Sequence, residues 1–379
     1  MSERVMVSVH TDRITIGEHF AVEFMRTLRI PDDGGEYPLP PGLGTFPLRR
    51  VSDYRERVPE SWREHGGVFL PMYQREAMWL RFSGAPWKPT AVKVAVGKIN
   101  ALSGKSWHQR LGADAGDEQD YMVVPDQPWL DGINAGRGLI RQFVAMPLGM
   151  GYTVEGQLTG EERFGGLQII SFEPRQGRFP DAPPAPEVRL HGANGEMYGI
   201  AAGCPGGPAP GYAAPPATAP PPMTQAPMTQ PPTAQPRSAY SSARRSSAGT
   251  EMGLAAGGRM RQQVYPDRHG VESWDEHRFG RVYVHIVNSQ MWREITGEPP
   301  PETPVSARSY AESGLPWFDL YDEHKGDIPP SDQLSTVKSV KDLDAEKGFA
   351  PQQDDDPVPA EPVVTYGTPV KDAVLDGAW

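Results

Sequence analysis

Apolar and polar residues alternate with a period of two along much of the first 200 residues, the pattern of strands that bury one face. Val5, Val7 and Val9 alternate with Met6 and Ser8. Ile14 and Ile16, then Phe20, Val22 and Phe24, keep the even positions across a break at Gly17-Glu18, which predicts a hairpin. Ala77 to Phe82 and Ala91 to Ile99 read as further strands, the second with Val92, Val94 and Val96 on one face, and Tyr121 to Val124 as a short one. The stretch from Ile140 to Pro174 carries three strand-like runs separated by two glycine-rich connections. In its middle run Tyr152, Val154, Gly156 and Leu158 face one way, and Thr153, Glu155, Gln157 and Thr159 the other. Glu187 to Leu190 and Met197 to Ile200 add a weak hairpin. Many short strands with turn residues between them, and no long amphipathic helix, predict a mainly β fold: an antiparallel sandwich or barrel-like core with a few short helices.

The pattern also has breaks. Pro31 to Pro47 is a long irregular loop rich in turn residues, and Arg49 to Glu64 reads as a short helix pair interrupted at Pro59 and stopped by Gly66-Gly67. Residues 204–249 are dominated by proline, alanine and glycine, with Pro-Met-Thr-Gln twice; such a segment buries too little to offset ordering and is expected to be a disordered linker. Order returns at Glu251. Met252 to Gly258 is glycine-rich, Met260 to Tyr265 is a candidate strand and Phe279 to Val287 a clear one. Asn288-Ser289 then caps a helix over 290–296 that Gly297 stops, with Met291, Trp292 and Ile295 on its buried side. Ser306 caps a second helix, and Pro316 opens a third through Trp317, Leu320 and Tyr321. Residues 250–325 are too few for a core of their own, so they are expected to dock on the β domain of residues 1–203. Residues 326–379 read as a disordered acidic tail.

Charge sharpens this division. The net formal charge is −11, and from Glu302 onward 16 acidic residues face 6 basic ones. An acidic excess argues against a nucleic-acid partner, which needs cations to displace phosphate counterions. The single cysteine, Cys204, excludes an internal disulfide and a multi-cysteine metal cluster, and suits a reducing compartment. No window reaches the roughly 18 apolar residues of a membrane helix, and the N-terminus lacks the pattern of a secretory signal. The expectation is a soluble, cytoplasmic chain with no membrane insertion.

Candidate chemistry is sparse. Glu155, Glu161 and Glu162, with Asp131 and Asp126 upstream, are the carboxylates that could flank a glycosidic bond if two of them met across a cleft. Trp129, Tyr152 and Trp317 are candidate stacking surfaces for a ligand. His269, His277 and His285 recur every eight residues beside Asp267, Asp275 and Glu276; imidazole with carboxylate suits zinc or iron, although helical ligand pairs sit three or four residues apart. No nucleophile-elbow, phosphate-loop or His-Glu-x-x-His pattern is present.

The runs 132–136 (Gly-Ile-Asn-Ala-Gly), 140–166, 252–261 and 314–323 together resemble a family found in high-GC bacteria and fungi, one without an assigned activity. The resemblance covers most of the chain outside the linker and tail and implies no catalytic residues. Some members of that family are labelled integral membrane proteins, which the hydropathy of this chain contradicts. The reading that follows is a non-enzymatic binding or scaffolding protein with a protein partner; the alternative is a carbohydrate-active hydrolase using paired carboxylates. The sequence specifies neither a cofactor nor an oligomeric state.

Overall fold

Alternating side chains leave a β-strand on opposite faces, so a run of even-numbered hydrophobics can be buried only if its strand finds neighbours on both edges. In the structure, a computed structural model, they do. It describes residues 3–112, 119–184, 188–191, 197–200, 251–320 and 326–366. The protein is mainly β, with one large, mostly antiparallel sheet and short helices. Two compact units are formed, one from Met1–Ala182 with Ser247–Trp379 and one from Pro183–Ser246. In the second the structure describes the antiparallel hairpin of Val188–His191 with Met197–Ile200. Cys204 and residues 204–249 lie outside the described residues.

In the first unit Phe20–Thr27 pairs with Arg13–Ile16 on one edge and with Ala77–Gly84 on the other. Ala77–Gly84 passes the sheet on to Leu139–Pro147, which pairs with Glu251–Arg261. Trp274–Asn288 joins that strand at one end, then pairs with Leu167–Pro174, which pairs with Thr90–Val96. The expected parities hold. Ile14, Ile16, Phe20, Val22 and Phe24 share one buried cluster with Leu80, Val92, Val94, Ile169, Leu254 and Val284. Each such side chain contributes about 1.5–3 kcal/mol when removed from water. The other face of the sheet is covered as well: Thr90–Val96 and Leu167–Pro174 are buried at every position. Strands covered on both faces lose their polar alternation. Lys93, an apparent misfit, is buried there and donates to Asp120 Oδ2 at 2.6 Å.

Four expectations are corrected. The middle run of the 140–174 stretch is a helix, Val154–Thr159. Thr153 accepts from the Gly156 N–H as its N-cap, and Gly160 closes it in a left-handed conformation at φ 79°; cap chemistry outweighs a short alternating pattern that one glycine helped to make. The glycine-rich segment 252–258 is not separate from the strand after it, since Glu251–Arg261 is one strand inside the sheet. A Cβ on Gly257 would stand 2.6 Å from Val144 Cγ2, so the glycine marks close packing instead of a turn. Residues 251–288 thus do not dock on a finished β domain but supply two of its interior strands. Trp317–Leu320 is not a helix; it pairs in parallel with Val363–Tyr366, a partner 46 residues away in sequence at register Trp317↔Val363.

The fourth correction concerns the acidic tail. Residues 326–366 contain the helices Asp332–Ser335 and Val340–Glu346, and Leu334, Val337, Val340 and Leu343 are buried. Their carboxylates are counterions. Asp344 takes the Arg75 guanidinium at 2.6 Å and the Tyr152 hydroxyl at 2.7 Å. Asp355 takes Arg29 at 2.6 Å with both side chains buried. Asp327 accepts the Val264 N–H at 2.8 Å and the Gly138 N–H. Residues 367–379 lie outside the described residues. Among the described residues no helix is long and apolar enough to cross a membrane.

Candidate functional site

The glutamates of the 155–162 region are already occupied. Glu155 is 3% exposed and accepts three backbone N–H groups, from Arg163, Phe164 and Gly165, each at 2.9 Å. Glu162 accepts from Gly151 N at 3.0 Å, Thr153 N at 3.1 Å and the Thr153 hydroxyl at 2.6 Å. Together they latch the turns on either side of the helix Val154–Thr159. Glu161 is exposed and pairs with Arg163 at 2.6 Å. Neither of the cavities described below is lined by two of these carboxylates, so neither gathers the facing acid and base that glycoside hydrolysis uses.

Tyr152 and Trp317 are also structural. Tyr152 is buried beneath the Lys347 ammonium, 4.2 Å from its ring centroid, with its hydroxyl committed to Asp344. Trp317 is fully buried between Tyr37 and Tyr310. The three histidines do not converge. His269 packs edge-on against Phe179 and Trp274, and His277 is exposed. His285 is buried, stacks on Tyr283 and Trp62 and sits 2.9 Å from the Gly66 carbonyl through Nε2. Burial pushes its pKa down to about 3, so it is neutral. Among the described residues no three His, Cys, Asp or Glu side chains gather as a metal site.

A cavity of about 720 Å³ lies elsewhere. Its floor is aliphatic: Val5, Val7, Val68, Ile169 and Val282. Arg4, Arg50, Arg55, Arg63, Lys98 and Arg281 line it, against the single carboxylate of Glu64. Sheet topology gathers these cations from distant parts of the chain. Arg4 pairs in register with Phe279, two residues from Arg281; Arg50 pairs with Val68; Arg63 comes from the helix Glu60–His65. None of the six is paired with a carboxylate among the described residues. Arg281 instead donates to the Gln109 side-chain oxygen at 3.1 Å, and Arg50 reaches the Val9 carbonyl at 3.4 Å. Lys98 stands over the Phe164 ring at 5.1 Å.

Two details show how the wall is built. Gly97-Lys98 forms the two-residue turn between Thr90–Val96 and Ile99–Asn100, with φ of 54° and 65°. Positive φ at both positions suits asparagine and glycine, so lysine at 98 carries strain of about 1 kcal/mol. Beside it runs an aromatic stack from His65 through Tyr283 to His285 and Trp62, with neighbouring centroids 4.7, 4.4 and 4.8 Å apart. The Tyr283 hydroxyl donates to the Phe164 carbonyl at 2.7 Å. The wall is therefore held by ring packing and a buried hydrogen bond, while the contacts of Arg50 and Arg281 are solvent-exposed.

A second cavity, about 460 Å³, takes in two residues that the sequence singled out. Trp129 pairs with Arg81, which places it diagonally from Trp79 on the face of the strands opposite Leu80 and Leu130. Trp79, Trp129 and Phe318 form its walls with Pro40 and Pro41, and Asp131 lies in its lining. The rim is fixed by a backbone bridge in which Leu39 and Phe318 exchange N–H···O bonds at 2.7 and 2.9 Å.

Sequence reasoning missed the cationic cleft. Its six cations are spread from residue 4 to residue 281, and the one local signal was lysine at the second position of a Gly-x turn. The chain matches no protein-family model, no curated protein and no solved structure, so the reading of the site rests on its own geometry.

Proposed function

We propose that this is a non-enzymatic binding protein whose cationic cleft takes a small phosphate-bearing ligand. One observation carries the reading: six basic side chains, none in an ion pair with a carboxylate among the described residues, line one concave surface in a chain of net charge −11, although Arg55 and Arg63 also border Glu56, Glu60 and Glu64. Clustered like charges repel one another, and a bound anion relieves that repulsion. Guanidinium groups present paired donors that match phosphate oxygens. The aliphatic floor favours a ligand with an apolar body behind its charged head. The cleft's size fits a small molecule.

Calorimetric titration with inorganic pyrophosphate, at low and at physiological salt, tests the charged half of this reading. Saturable binding that weakens as salt rises is expected, with at least a tenfold loss in the double variant Arg50→Ala/Arg281→Ala. Absence of binding at low salt, or affinity unchanged in that variant, overturns the proposal. A short single-stranded oligonucleotide that bound far more tightly than pyrophosphate would also overturn it, and would assign the cleft to nucleic acid.

A further inference from the structure

The second cavity has the opposite electrostatic character. Asp131 is 4% exposed and its Oδ1 has no hydrogen-bond partner. Its backbone is satisfied: the N–H donates to Gln262 Oε1 at 3.0 Å and the carbonyl accepts from Phe143 N at 3.0 Å. Of the side chain, Gln262 adjoins the carboxyl while Oδ1 stays without a partner. Among the described residues no lysine or arginine lines the cavity, whose walls are Trp79, Trp129, Phe318 and prolines. A carboxyl group held in this way is complementary to one kind of guest. The guest must carry positive charge, to compensate the carboxylate, and apolar substituents, to occupy an aromatic and proline-lined space. Aromatic faces attract organic cations through their quadrupoles, and a desolvated carboxylate adds to that attraction.

We propose that the Trp79–Trp129–Phe318 pocket binds an organic ammonium group, with Asp131 as its counterion. This site is independent of the cationic cleft, since the two share no lining residue. A neutral sugar could stack on the same indoles, but it brings no positive charge to stabilise the ionised form of the buried Asp131 carboxyl.

The test compares choline with its uncharged isostere 3,3-dimethylbutan-1-ol, using the full chain and the perturbation of Trp indole resonances. Choline is expected to bind at least tenfold more tightly than the alcohol. Asp131→Asn should bring choline down to the level of the alcohol, and Trp129→Ala should weaken both. Asparagine at 131 removes a buried charge, so a thermal melt of that variant should show a fold at least as stable as the parent, which separates lost binding from lost structure. Equal affinities for choline and the alcohol, choline binding indifferent to Asp131→Asn, or no binding of choline at all each overturn the proposal.

Discussion

The C-terminal strap, residues 326–366, and the cationic cleft use charge in opposite ways. In the strap, Asp344 holds Arg75 and Tyr152, Asp355 holds Arg29, and Asp327 caps two backbone N–H groups. In the cleft, six cations surround a cavity and none has a carboxylate partner among the described residues. The local sequences do not announce this difference: residues 326–379 read as an acidic tail, and the cleft cations are scattered over segments read as strands, turns and a short helix. Whether a charge has a partner separates structural charge from charge left available for binding. Burial does not separate them: Glu155 and Asp131 are about equally buried, yet one carboxylate is wrapped by three N–H groups and the other has a bare oxygen.

The contrast breaks most sharply if charge removal has the same effect in both regions. Asp355→Ala should leave the buried Arg29 guanidinium with only the more distant Asp354, 4.0 Å away, and cost up to about 3–5 kcal/mol in chemical unfolding. An effect below about 1 kcal/mol would return the strap to the status of a loose tail. Asp131→Asn should act in the opposite direction. Burial raises the Asp131 carboxyl to about 7, partly offset by the adjoining Gln262 side chain. The unfolded value is 3.8, so between pH 3.8 and 7 the folded state keeps a proton that the unfolded state has released. Stability contributed by Asp131 is therefore whole at low pH and lost as pH rises through that window. At pH 8 the asparagine variant should be more stable by up to about 4 kcal/mol, and no difference should remain near pH 3. Unfolding curves at the two pH values check the sign.

In the cleft, Arg50→Ala with Arg281→Ala should leave unfolding stability within about 0.5 kcal/mol of the parent, or raise it slightly, because the hydrogen bonds lost, to the Val9 carbonyl and Gln109, are exposed and relief of repulsion offsets them. A loss comparable to that of Asp355→Ala would show that the cleft arginines are structural. The smallest expected effect is at the turn. Lys98→Asn should stabilise by about 0.5–1 kcal/mol by suiting positive φ, while weakening pyrophosphate binding a few-fold. A stability gain with no change in affinity would remove Lys98 from the binding wall.

Much of the fold was legible because it follows local rules. The hairpin of Arg13–Ile16 with Phe20–Thr27, the valines of Thr90–Val96 and the helix Ser289–Thr296 with its Asn288 cap all follow from residue spacing and end chemistry. The failures share a cause. Val154–Thr159 was too short for periodicity to outvote a capping threonine, and Trp317–Leu320 became a strand only because Val363–Tyr366 lies beside it. Of the candidate ligand residues, Trp129 and Asp131 meet at one cavity, while Tyr152 and Trp317 are consumed by packing.

The sequence by itself determined the β class, the parity of the core strands and the caps of the helices Ser289–Thr296 and Ala307–Glu312, because these depend on neighbours within a few residues. Only the tertiary structure decided what each charge does. An arginine at 29 and an aspartate at 355 meet through packing of segments far apart in the chain, and strand register brings an arginine at 4 and one at 281 to the lining of one cavity. Electrostatic energy depends on distance in space, and packing and register, not sequence proximity, set that distance.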